Sequence, residues 1–179
     1  MTWLVLCSGG IDSATLAALA VAEDASVELC FVDYGQPACT AERLAVLALS
    51  DCLGVPVVEA AVGGLEVVCG EIPMRNALLV TCAAAARPRT ALVALGVHAG
   101  TGYRDCSPEF VDLMQRVLDF HSDGAMRLLA PFVQWSKADV YGLALRLDVP
   151  LGLTHSCEAS DEPCGSCRSC VDREALLAG

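Results

Sequence analysis

The sequence predicts an α/β protein: a five-stranded parallel sheet with helices on both faces and a short C-terminal segment of different character. Three observations carry this. Apolar runs of strand length alternate with helical patterns along most of the chain. The first run, Trp3 to Cys7, enters a glycine turn from which a helix leaves. Polar, glycine-containing loops then fall at strand ends, where open α/β sheets bind ligands.

The elements follow in order. After Trp3 to Cys7 comes Ser8-Gly9-Gly10-Ile11-Asp12-Ser13, then an Ala/Leu-rich helix, Ala14 to Ala22. Strand, glycine turn and helix is the geometry that cradles phosphate, because backbone N–H groups and the positive helix end face the anion. Ser8 and Ser13 add hydroxyls. Asp12 reads either as a helix cap or as a carboxylate that reaches magnesium. No lysine follows the glycines, so this is not a Walker A loop. An ordinary strand–helix connection is the plainer reading of the turn alone.

Val27 to Val32 is a second buried strand ending at Asp33-Tyr34-Gly35-Gln36. A helix over Ala41 to Leu53 stops at Gly54, and Val55 to Val62 is a third strand despite Pro56. Gly63 to Glu71 is irregular. Ile72-Pro73-Met74-Arg75-Asn76 precedes an apolar helix, Ala77 to Ala86. Arg75 runs against the dipole preference at a helix start, which suggests an anion partner; a solvated side chain is the alternative. Thr90 to Val97 is a fourth strand, followed by the polar loop His98 to Cys106. Ser107-Pro108-Glu109 opens a helix to about His121, with serine as cap, proline first and an acid in the first turn. Leu128 to Phe132 is a short fifth strand, and Ser136 caps a helix over Lys137 to Leu147.

With 179 residues the chain suits one domain with a real core, and its 55% hydrophobic but 5% aromatic content makes that core Ala, Leu and Val. A net charge of −11 argues against gripping a nucleic-acid backbone, although it leaves room for a nucleotide in a small site. The longest apolar stretch, Ala77 to Ala86, is about half of what a membrane span needs. The N-terminal run lacks a basic leader and feeds straight into the phosphate turn, so a cytoplasmic protein without a signal peptide is expected. Eleven cysteines then suggest a reducing compartment, with metal or catalytic use rather than disulfides.

Four of those cysteines form a pattern. Cys157, Cys164, Cys167 and Cys170 stand as C-x6-C-x2-C-x2-C among serines and glycines. Four thiolates match a structural zinc shell; an iron–sulfur cluster is the other reading. Cys7, Cys30, Cys52 and Cys82 lie in apolar patterns and read as small core residues. Cys39 and Cys69 carry no signal, and Cys106 stands out in its polar loop. The expected division is a nucleotide domain over 1–153 and a metal segment over 154–179 packed on it, with no repeat and no linker.

Taken together, these pieces resemble the 7-cyano-7-deazaguanine synthase (QueC) family of the PP-loop ATPase superfamily. The resemblance rests on S-G-G-x-D-S at Ser8 to Ser13, D-Y-G-Q at Asp33 to Gln36, P-x-R-N at Pro73 to Asn76, the loop and helix start Gly102 to Phe110, and the terminal S-C…C-G-x-C-x-x-C at Ser156 to Cys170. It implies a Rossmann-like adenine nucleotide alpha hydrolase fold. It also implies an ATP- and Mg2+-dependent, AMP-forming ligase that adenylates the carboxylate of 7-carboxy-7-deazaguanine. Ammonia displaces AMP to give the amide, and a second ATP yields the nitrile, a precursor of queuosine and related bases.

On that resemblance Ser8, Gly9, Gly10, Asp12, Ser13, Asp33 and Tyr34 bind the nucleotide, and Asp12, Ser13, Lys137 and Arg75 carry catalysis. Lys137 would neutralise phosphate charge; a surface lysine is the plainer reading of its position. Arg75, Asn76, Tyr103, Asp105 and Glu109 meet the substrate, Tyr103 by stacking and Asp105 by accepting from a guanine-like edge. Glu109 does likewise or simply caps its helix. Cys157, Cys164, Cys167 and Cys170 bind structural Zn2+. A homodimer is implied, with no nucleic acid and no membrane.

The chain departs from the family pattern at Pro37 and Ala38 (usually Arg-His), at Arg104 and Ser107, and at His155 (usually Trp). It is also shorter between the third strand and Pro73. These changes surround the substrate pocket, and they motivate an alternative: a QueC-like ligase conjugating the activated acid to an amine of a protein partner, of the kind associated with antiphage defence. A PP-loop tRNA-modifying enzyme is disfavoured by the net charge, and a non-enzymatic nucleotide-binding module by the intact loop plus Lys137.

Overall fold

The structure, a computed structural model, describes residues 2–67 and 72–178. In β1 (Thr2–Leu6) alternate side chains go to opposite faces: Leu4 and Leu6 pack on one side, Val5 on the other. The same division holds in β2 (Ser26–Asp33), with Val27, Leu29 and Phe31 on one face and Cys30 and Val32 on the other. A strand apolar in both directions needs cover on both faces, which is why these runs are continuously hydrophobic. With β3 (Val57–Ala61), β4 (Leu92–Ala94) and β5 (Arg127–Leu129) they form one fully parallel sheet in the order β3-β2-β1-β4-β5.

Helices α1 (Ile11–Ala22), α2 (Cys39–Leu53) and α5 (Lys137–Arg146) cover one face, and α3 (Arg75–Ala86) and α4 (Pro108–Ser122) the other. A sixth helix, α6 (Arg168–Ala178), ends the described chain. Strand order reverses between β1 and β4. A crevice therefore opens at their C-terminal ends, between the loops that follow them.

The expected boundaries shift for identifiable reasons. β3 starts at Val57 because Pro56 has no N–H to pair, although its carbonyl accepts from Leu29 N–H at 2.8 Å. β4 is shorter than Thr90 to Val97. β5 ends at Leu129, and Phe132 leaves the sheet in a turn closed by Trp135 N–H on its carbonyl (2.8 Å), becoming a fully buried plug in the α1/α5 core. Helix α1 starts at Ile11 with Gly10 as its cap, so Asp12 is inside the first turn and is not the cap. Cys52 is exposed rather than core, because α2 turns Ala45, Val46, Leu49 and Leu53 inward. Cys7 and Cys30 are buried as expected, and Cys82 is half-buried. Cys69 and the end of the irregular stretch lie outside the described residues.

Two caps read from sequence stand. Ser107 Oγ accepts from Phe110 N–H at 3.2 Å, and Ser136 and Asp139 form a reciprocal capping box on α5. No helix among the described residues is long and apolar enough to cross a membrane.

Candidate active site

The phosphate turn is shaped by close packing. Gly9 has φ +78°, and a Cβ there would stand 2.6 Å from Ala45 Cβ and 2.9 Å from the Glu42 carbonyl. Only glycine lets α2 pass so near. Gly10 caps α1 without any side-chain acceptor, so the first-turn N–H groups stay available to an anion. Ser8 lines the cleft, as does Ser13, whose hydroxyl donates back to the Gly10 carbonyl at 3.1 Å.

Two other loops bring polar side chains to this turn. Lys137, first residue of α5, donates to both oxygens of Asp12, at 2.7 and 2.6 Å. Buried His98, after β4, approaches Asp12 Oδ2 to 3.6 Å from the other side. Its pKa is lowered by burial, with the Asp12 charge opposing and that of Lys137 adding to the effect.

At the end of β2, Gln36 is a buried clamp. Its Oε1 accepts from Tyr34 N–H (2.9 Å), and its Nε2 donates to the Val32 carbonyl (3.2 Å) and to Glu42 Oε2 (2.8 Å). Burial pushes the Glu42 carboxyl up to about 7, against the Gln36 bond and the Arg75 charge. Arg75 opens α3 beside the Tyr34 hydroxyl. Burial works against its charge, but Tyr34, Glu158 and Asp105 more than offset that and raise its pKa. Its expected anion partners therefore include groups of the chain itself.

The structure gathers most of the predicted residues. Ser8, Gly10, Asp12, Ser13, Tyr34, Arg75, Asn76, Tyr103 and Lys137 all line one cleft of about 250 Å3, and Gly9 forms the turn beneath it. Asp33, Asp105 and Glu109 are not in its wall. Asp33 instead accepts from Gly35 N–H (3.0 Å) and pairs with Arg43 (2.9 Å). Asp105 accepts from Asn76 N–H at 3.3 Å, capping α3 from across the fold; this explains why that helix begins at Arg75, two residues early. Asn76 Nδ2 in turn donates to the Asp105 carbonyl (3.0 Å) and to Cys106 Sγ (3.6 Å). Glu109 is exposed in the first turn of α4.

The C-terminal segment folds back as the cleft's remaining wall. His155 N–H donates to the Gly9 carbonyl at 2.9 Å, and His155, Ser156, Glu158, Arg168 and Arg173 line the space. Arg173 holds the segment by donating to Thr154 Oγ1 (2.6 Å), Ser156 Oγ (3.2 Å) and the Leu151 carbonyl (2.8 Å). Within it, the sulfurs of Cys157, Cys164, Cys167 and Cys170 all lie within 4.8 Å of one another. A tetrahedral ion with metal–sulfur bonds of about 2.3 Å sets sulfurs about 3.8 Å apart, so the group fits one ion after small side-chain shifts. Cys167 N–H donates to Cys164 Sγ (3.3 Å) and Cys170 N–H to Cys167 Sγ (3.4 Å). The Ser166 N–H and hydroxyl and the Cys167 N–H hold the Cys164 thiol down to about 6, ready to ligate as thiolate.

Sequence reasoning assigned no role to His98, Glu42, Glu158, Arg168 or Arg173. His98 opens the polar loop noted after the fourth strand, and Gln36, Glu158 and Arg168 stand inside stretches quoted for the family resemblance, so a signal for them existed. Nothing local marks Glu42 or Arg173 as cleft residues.

A parallel sheet with its phosphate turn at the β1 end, an uncapped helix start and a lysine reaching in from the last α/β unit define a PP-loop nucleotide-binding domain. Solved structures agree on the fold. The NMN synthetase from Francisella tularensis superposes with a TM-score of 0.56 at 20% identity, covering 88% of this chain and 67% of that one. A predicted subunit of tRNA methyltransferase from Methanocaldococcus jannaschii gives 0.53 at 14% identity, covering 81% and 74%. A family model described as Queuosine biosynthesis protein QueC matches residues 2–70 and 57–178. Among curated relatives, the 7-cyano-7-deazaguanine synthase of Paracoccus denitrificans is 38% identical over 210 residues, covering 100% of this chain and 90% of its own length. That of Brucella anthropi is 35% identical over 213 residues, with coverage of 100% and 90%. The chain belongs to the QueC family. Alignments longer than the chain's 179 residues mean that the relatives carry stretches it lacks. The two matched segments overlap at 57–70, in the region read as shortened.

Proposed function

We propose that this chain is an AMP-forming carbon–nitrogen ligase that converts 7-carboxy-7-deazaguanine and ammonia to 7-cyano-7-deazaguanine through the amide, using two ATP. The observation that carries the proposal is Lys137 meeting Asp12 over the phosphate turn, in a chain related over its full length to synthases of that name. In the first half-reaction the substrate carboxylate attacks the α-phosphorus and pyrophosphate leaves. Charge then grows on the leaving group, and N–H groups at the start of α1, with Ser8, Ser13 and Lys137, stabilise it. Ammonia next attacks the acyl-adenylate and expels AMP.

The opposite end of the cleft holds the acid. Tyr103 offers a stacking face and Arg75 a cation for the carboxylate. Asn76 and Asp105 shape that wall from behind, by fixing the start of α3 against the loop after β4. Glu109, standing outside, is left to the helix-dipole role. Tyr34 borders the nucleotide end, with Asp33 holding the turn that follows it.

Zn2+ is the ion proposed for the four cysteines. With all four positions taken by sulfur it supplies rigidity and no open coordination site. Mg2+ accompanies the nucleotide phosphates and would meet Asp12. The division into a nucleotide domain over 1–153 and a metal segment over 154–179, a cytoplasmic location and a homodimer complete the proposal.

Mass spectrometry of the zinc-loaded protein with ATP, Mg2+, 7-carboxy-7-deazaguanine and ammonium tests it. AMP with free 7-cyano-7-deazaguanine is expected. AMP with only the adenylate or amide would replace the nitrile reading with transfer to another amine, and no AMP at all would overturn the proposal.

A further inference from the structure

His98 is buried, 6% exposed, and stands across the switch point from the phosphate turn. One ring nitrogen, Nδ1, accepts from Gly100 N–H at 3.0 Å. A nitrogen that accepts carries no proton, so the ring proton sits on Nε2. That nitrogen faces Asp12 Oδ2 at 3.6 Å, just beyond hydrogen-bonding distance, as resting active-site contacts often are. The charged groups around the ring are Asp12 of α1, Lys137 of α5, and Arg168 and Asp172 of α6.

The arrangement is tightly constrained. A Cβ on Gly100 would stand 2.9 Å from Nδ1 and 3.3 Å from Lys137 N, so any other residue would push the donor off the ring. From the far side, Arg168 donates to the Gly100 carbonyl at 2.9 Å. A continuous path thus runs from α6 of the metal-binding segment through Gly100 and His98 to Asp12.

We infer that His98 is a positioning residue for Asp12, oriented by the C-terminal segment through Arg168 and Gly100. Lys137 carries one charge, and both oxygens of Asp12 share it in this structure. A triphosphate in the turn competes for the same ammonium. As Lys137 turns to the phosphate, the Nε2–H remains as the donor that keeps the Asp12 carboxylate in place. The inference rests on the proposed nucleotide chemistry of the cleft.

Two measurements test it. The first is 15N NMR of the histidine rings in the whole protein, which has three histidines. The expected result is His98 as the Nε2–H tautomer near neutral pH; an Nδ1–H tautomer or an imidazolium overturns the inference. The second is pyrophosphate release by His98→Leu and His98→Gln, since a glutamine amide can place an N–H where Nε2 stands. Leu should lower kcat about tenfold or more with KM for ATP little changed, and Gln should recover it to within about threefold. Full activity in the Leu variant, or no recovery in Gln, overturns the positioning role. If the wild type releases no pyrophosphate, the nucleotide chemistry itself has failed, and the tautomer still decides the His98–Asp12 contact.

Discussion

Lys137 Nζ and the carboxylate of Asp12 meet at 2.7 and 2.6 Å across 125 residues of sequence, tying the first turn of α1 to the first turn of α5. Each residue is about a quarter exposed, at 28% and 25% of its side-chain surface, so the pair contributes little to stability. Its consequence is electrostatic: an ammonium is parked at the mouth of the phosphate turn. Lys137→Ala and Asp12→Asn should each lower pyrophosphate release by about 100-fold or more with thermal melting nearly unchanged. The double variant should be little worse than the poorer single one, because the two act as a unit. Unchanged turnover in either single variant would remove the phosphate role from this turn.

The two glycines of the turn should behave differently. Gly9→Ala combines a positive φ with a Cβ 2.6 Å from Ala45, and should cost about 3 kcal/mol in urea unfolding. Gly10 has φ −77°, and the nearest atoms to a Cβ there are 3.6 Å away. Gly10→Ala should therefore cost less than about 1 kcal/mol. Equal losses would mean that α2 can move away from the turn.

Removing the metal should affect stability and nucleotide binding together. The four cysteines sit in the segment whose His155 N–H holds the Gly9 carbonyl and whose Arg173 lines the cleft. Chelation, or Cys164→Ser, should lower unfolding stability by at least about 2 kcal/mol and raise KM for ATP. Metal analysis of the native protein should find one ion per chain. A metal-free protein with an unaltered melt would show the segment to be held by its hydrogen bonds alone.

Glu42 predicts a pH dependence. Its carboxyl titrates at about 7 in the fold against 4.5 when free, with burial as the main cause. Between those values the folded state binds more protons than the unfolded one, so stability falls as pH rises through the window. The penalty is absent below about pH 4.5 and fully present above about pH 7, where it amounts to roughly 3 kcal/mol. Glu42→Gln removes it. The variant should gain on the wild type at about pH 8 and lose that advantage at about pH 4.5, measured by urea unfolding at both. An advantage independent of pH would show that Glu42 titrates normally.

The elements were readable where the controlling interactions are local. Doubly buried strands appear as apolar runs, Ser107 and Ser136 announce their helices, and the phosphate turn and the cysteine spacing each lie within about a dozen residues. Element ends were less readable where a distant group decides them. Asp105 caps α3 from 29 residues away, and no pattern within 72–77 could announce it.

The sequence alone determined the fold class, the glycine turn between first strand and first helix, the spacing of the four C-terminal cysteines and the family, because each is written in neighbouring residues whose pattern needs no partner to be recognised. Tertiary structure decided that Asp12 faces both Lys137 and His98, that Asp33 and Asp105 bond to groups beside the cleft and do not line it, and that the cysteine segment forms one of the cleft's walls. Those facts depend on which loops the strand order β3-β2-β1-β4-β5 brings to one edge of the sheet. Such proximity is a property of the packed chain and leaves no local mark on the residues it joins.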